Sequence, residues 1–176
     1  MKSTEKKLVN RVAKSPLKTI NLEDYFPKEE IIEFDLKDYL FKELILKEKE
    51  FRAAMKEIDW TAFSGQSVAI TCSTDAIIPV WAFMLTAAYL TPYASEVFSG
   101  TAEEFLEEKY RNRLDAIDFS QYENELIVIK GCSKKVVPRS AYVRITNKLR
   151  PYARSIMYGE ACSTVPIYKK PRKRTS

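Results

Sequence analysis

Short runs of branched apolar residues alternate along the chain with stretches whose apolar positions recur every three or four residues. Ser67-Val-Ala-Ile-Thr71 and Leu126-Ile-Val-Ile-Lys130 are nearly continuous in apolar character, which predicts strands buried on both faces of a parallel sheet. Ile31-Ile-Glu-Phe34, Leu44-Ile-Leu46, Glu96-Val-Phe98 and Ser155-Ile-Met-Tyr158 predict further short strands, and Leu36 to Phe41 a helical turn. Lys47 to Ile58 reads as an amphipathic helix. Ala102 to Ile117 reads as another, with acids near its start, where the helix dipole favours them. Pro79 and Pro138 open two more helices, since a missing N–H costs nothing in the first turn. Strands alternating with helices predict an α/β fold: a mainly parallel sheet flanked by helices, with right-handed crossovers.

An internal repeat organises this pattern. Residues 59–100 align with 118–159 at a constant offset, sharing Asp59/Asp118, Pro79/Pro138, Leu90/Leu149, Pro92/Pro151, Tyr93/Tyr152, Ala94/Ala153 and Gly100/Gly159. One residue, Gly131, is inserted before Cys132, after which Cys72-Ser73 matches Cys132-Ser133. The expectation is a duplicated βαβ unit inside one α/β domain of residues 1–168.

Composition narrows the chemistry. Histidine is absent, which excludes Ser-His-Asp and Cys-His catalysis and His-ligated zinc within this chain. Only four glycines occur, and neither common phosphate-loop motif is present. The net charge of +5 suggests nucleic acid, but five of the 29 basic residues lie in the last eight positions. The other 24 balance the 24 acids, so residues 169–176 read as a basic disordered tail on a neutral body and nucleic acid is not the expected partner. The N-terminus has no apolar core of signal-peptide length, and the longest apolar stretch, Ala76 to Leu90, is too short to span a bilayer, so a cytoplasmic protein that makes no membrane contact is expected.

Reduced thiols are the expectation in that compartment, and each of the three cysteines follows a predicted strand and precedes a serine: AITCSTD, IKGCSKK and YGEACSTVP. In an open parallel sheet, ligands bind at the carboxyl ends of strands. Cys72, Cys132 and Cys162 are therefore candidate thiolate ligands at one sheet edge, near helix N-termini, for zinc or an iron–sulfur cluster. Ser73, Ser133 and Ser163 could donate hydrogen bonds to the sulfurs, and Lys134, beside Lys135, could hold an anion or assist a thiol. Asp75 is a candidate helix cap, acid–base group or further ligand, and Glu160 another candidate ligand. Inert packing of buried cysteines is the alternative.

The segments VNRVAKS, AITCSTDAIIP, IKGCSKK and SIMYGEACSTVPIYKKP resemble a bacterial family catalogued as domain of unknown function 2480, over nearly the whole chain. The resemblance implies no established activity. It implies members encoded beside iron–sulfur assembly genes, hence protein partners in iron–sulfur or metal handling.

Two functional readings follow, with a third behind them. The first is a metal- or iron–sulfur-binding protein with the three cysteines as ligands, serving cluster assembly, sensing or metal handling, and able to pair as a homodimer. The second is a thiol enzyme with one reactive cysteine, Cys72 or Cys132, near a helix N-terminus. The third is a non-catalytic interaction domain that uses the basic tail.

Overall fold

The structure, a computed structural model, describes residues 16–131, 133–160 and 162–171. Among these residues the chain forms β1 (Leu17–Asn21), β2 (Ile31–Asp35), α1 (Glu48–Glu57), β3 (Ser67–Thr71), α2 (Val80–Leu90), β4 (Glu96–Ser99), α3 (Ala102–Asp115), β5 (Leu126–Lys130), α4 (Arg139–Leu149), β6 (Ser155–Glu160) and β7 (Ser163–Lys169). The fold is mixed α/β with two mostly parallel sheets, where the sequence suggests one. Contacts group the chain into two compact units, Pro27–Tyr110 and Met1–Phe26 with Arg111–Ser176. The expected single domain of residues 1–168 spans both.

In the unit Pro27–Tyr110 the sheet order is β2-β3-β4, all parallel. Every residue of β3 is buried, which explains why its sequence lacks the polar alternation of a half-exposed strand. Phe34, Leu36, Phe51, Met55, Trp60, Val68, Ile70, Ala82 and Leu90 form the core. Trp60 stacks on Phe34 and Tyr89, and its indole N–H donates to the Met55 carbonyl at 2.8 Å, so the one polar atom of this buried ring is satisfied. Pro79 stands at the N-cap of α2, extended at ψ 139°, one position earlier than the sequence suggests. Pro138 stands likewise before α4.

In the other unit the order is β1-β5-β6-β7, parallel except for β7, which runs antiparallel to β6. Ile127, Val128, Ile129, Ala141, Ile145, Leu149 and Ile156 are buried between strands and helix. The strand registers of the two units correspond: Leu17 faces Leu126 as Ile31 faces Ser67, and Leu126 faces Ser155 as Ser67 faces Glu96. Each first strand ends in a capped 3-10 turn, Leu22–Tyr25 or Leu36–Tyr39. Asp59 and Asp118, shared by the two aligned segments, cap 3-10 turns at Trp60–Phe63 and Phe119–Tyr122.

Three elements differ from the sequence reading. Leu44–Leu46 is not a strand: Phe41 and Ile45 make a single bridge around Lys42 and Glu43, both at positive φ, and Leu44 is 66% exposed. With no neighbouring strand to pair with, the apolar run has no sheet to join. β1 and β7 were not expected as strands. Lys169, assigned to the tail by composition, is the last residue of β7, and the Lys170 N–H donates to the Arg154 carbonyl. Residues 172–176 of that tail lie outside the described residues, as does the VNRVAKS segment.

Candidate functional site

The carboxyl ends of the parallel strands carry the candidate residues, but on two sheets and not on the one sheet edge that the sequence suggests: Cys72 follows β3 in one sheet, and Cys132 and Cys162 follow β5 and β6 in the other. Cys72 follows the last residue of β3 directly, half-buried and free, with its sulfur 3.4 Å from the Thr74 hydroxyl. It lines a depression of about 340 Å³ with Thr71, Thr74, Ile78, Ser99 and Gly100, between the ends of β3 and β4. α2 begins only at Val80, so seven residues separate Cys72 from the helix, and the expected helix N-terminus beside this thiol is replaced by a loop. Asp75 is exposed in that loop and does not cap α2, whose N-cap Pro79 makes no side-chain hydrogen bond.

In the other unit Cys132 follows β5 by two positions in the chain and lies outside the described residues. Cys162 is exposed and free in the turn between β6 and β7. The chain turns back there as an antiparallel strand and not into a helix, contrary to the sequence reading. Gly159 permits this reversal: it adopts φ +120°, and a Cβ would stand 2.6 Å from the Ser163 carbonyl oxygen. Ser163 opens β7 opposite Glu160, and Lys130 pairs with Glu160 at 3.5 Å across the β5 and β6 ends. Thr164 reaches the Met157 sulfur at 3.7 Å. Gly131, just before Cys132, lies where a Cβ would approach the Tyr142 hydroxyl to 2.6 Å. Tyr142 and Tyr158 meet edge to face and line an apolar cavity of about 270 Å³ with Ile129, Thr146 and Ile167.

Two residues that the sequence reading did not single out hold the turns. The Ser73 N–H donates to the Asp35 carboxylate at 3.1 Å. The Ser133 N–H and hydroxyl both donate to Glu23, as does the Lys134 N–H at 2.9 Å. Lys134 thus contributes its backbone to this site, and Lys135 places its ammonium 4.8 Å from the Phe26 ring centre. The Lys134 N–H, against burial and together with the Ser133 and Lys135 donors, holds the Glu23 carboxyl down at about 2. Burial pushes the Asp35 carboxyl up, but the Ser73 hydroxyl, the Lys37 and Ser73 N–H groups and the Lys37 charge together lower it.

The family model described as protein of unknown function DUF2480 matches residues 6–170, a span that contains all three Cys-Ser pairs and both anchoring carboxylates. The chain belongs to the DUF2480 family. None of the curated proteins or solved structures compared with this DUF2480 chain matches it. Among its described residues, no three His, Cys, Asp or Glu side chains group as a metal-holding set, and no helix is long and apolar enough to cross a membrane.

Proposed function

We propose that the chain is a cytoplasmic metal- or iron–sulfur-binding protein with Cys72, Cys132 and Cys162 as ligands, taking zinc or an iron–sulfur cluster. The observation that supports this most is chain placement. Each cysteine comes within two residues of the end of β3, β5 or β6, all of which run parallel to a neighbour. The Thr74 hydroxyl near the Cys72 sulfur is the kind of contact that tunes a ligand. Ser133 and Lys134 serve the turn that follows Cys132, while Ser163 and Asp75 stand beside the other two. The corresponding registers of the two units support descent from a duplicated βαβ segment. Protein partners in iron–sulfur or metal handling, and pairing as a homodimer, belong to this reading.

Anaerobic purification followed by iron, sulfide and zinc analysis tests it. Bound metal that falls in each Cys→Ser variant is expected; metal-free protein that also fails reconstitution sinks it. A second reading, a thiol enzyme using Cys72, draws on the depression beside that residue. It predicts one cysteine that alkylates much faster than the other two in metal-free protein.

A further inference from the structure

Both units hold the serine after the cysteine with a carboxylate that arrives from the first strand or the turn ending it. Asp35 is the last residue of β2 and reaches Ser73 across 38 positions of sequence. Glu23 lies in the 3-10 turn after β1 and reaches Ser133 across 110. We propose that Asp35 and Glu23 are positioning residues for the Cys72-Ser73 and Cys132-Ser133 turns, fixing where each turn leaves its sheet. The proposal rests on the thiol-ligand reading of those turns.

Local capping does not account for these contacts. The 3-10 turns after β1 and β2 have their caps made by the last strand residue: Asn21 accepts from the Glu23 N–H, and Asp35 from the Lys37 N–H. In one unit Asp35 therefore caps and anchors with the same carboxylate oxygen, Oδ1. In the other the two tasks are divided, and the hydrogen bonds described for the Glu23 carboxylate all come from the turn after Cys132. A side chain that accepts from three successive residues 110 positions away orders that loop and nothing local. Thiols offered to a ligand gain from such ordering, because the turn is then arranged before the ligand arrives.

The test measures iodoacetamide alkylation of the reduced, metal-free full chain as a function of pH, with each cysteine peptide quantified separately. The quantity compared is the limiting rate at high pH, so that charge effects on ionisation drop out. Asp35→Glu keeps the charge but displaces the oxygen, while Asp35→Asn keeps the acceptor and removes the charge. Asp35→Glu is expected to raise the limiting rate at Cys72 up to about tenfold, the effect of displacing the acceptor and losing one hydrogen bond. Asp35→Asn is expected to stay near the wild-type rate, with Cys162 unchanged in both. Glu23→Asp and Glu23→Gln should repeat this contrast at Cys132. These variants are conservative, and thermal unfolding checks that each is folded. The proposal is overturned if Asp35→Glu leaves Cys72 at the wild-type rate, if Asp35→Asn rises as far as Asp35→Glu, or if all three thiols rise together. Adding zinc alone to the same proteins separates the two claims. Wild-type protein that takes up neither zinc nor iron counts against the ligand reading, and the alkylation rates still judge the anchors.

Discussion

Protonating Glu23 weakens its hold on the donors of the turn after Cys132. Its carboxyl is held at about 2 against an ordinary 4.5, first by the Lys134 N–H. The unfolded chain restores the ordinary value, so the stability this residue supplies is complete above that value and is lost as pH falls through the folded one. The difference in urea midpoint between wild type and Glu23→Gln should therefore shrink steadily from about pH 5 to about pH 2. A difference that stays constant over that range would deny the contact. Gly131 offers a second residue-scale test. Gly131→Ala brings a methyl against the Tyr142 hydroxyl and should cost about 1–2 kcal/mol in urea unfolding. Measured in a Tyr142→Phe background the cost should fall by half or more, whereas an equal cost in both backgrounds would place the strain elsewhere. Cys72 and Ser73 could be found from sequence because a buried strand and a polar turn are local patterns. Asp35 and Glu23 could not, since their partners lie 38 and 110 residues away. The one available signal was the shared frame Leu22-Glu-Asp-Tyr25 and Leu36-Lys-Asp-Tyr39, each after an Asn or Asp.

At the scale of elements, β3 and β5 were legible to the residue, because a strand buried on both faces needs a short apolar run, and here β-branched Val and Ile fill one between polar turn residues. β7 was not. Its Val165 and Ile167 are exposed, and Pro166, which cannot donate to a ladder, argues against a strand until it is seen on a sheet edge beside a register shift. The hairpin that carries Cys162 depends on Gly159. Gly159→Ala combines a positive φ with a backbone clash and should destabilise the chain by about 2 kcal/mol or more. Amide exchange should then quicken in β7 well before β5. Equal protection of β7 in the variant and the wild type would refute the role given to this glycine.

For the whole molecule, the +5 charge resolves into a neutral body and a basic end, part of which is structural. Lys169 pairs with Ser155, and the guanidinium of Arg150 lies 3.9 Å from the Tyr168 ring centre. Ending the chain after Pro171 should leave thermal stability within about 0.5 kcal/mol of wild type. Ending it after Ile167 should lower stability by clearly more, as the last β7 pairs go. Similar stability for the two truncations would show that the end of β7 contributes little.

The division of tasks between Asn21 and Glu23, against their union in Asp35, makes the two halves unequal in how they accept change. Capping and anchoring can be lost separately in one half, and because different side chains carry them, the costs of Asn21→Ala and Glu23→Ala should come close to adding. In the other half any replacement of Asp35 touches both at once. A drifting sequence can thus explore the first turn one task at a time, while in the second any replacement must serve cap and anchor together.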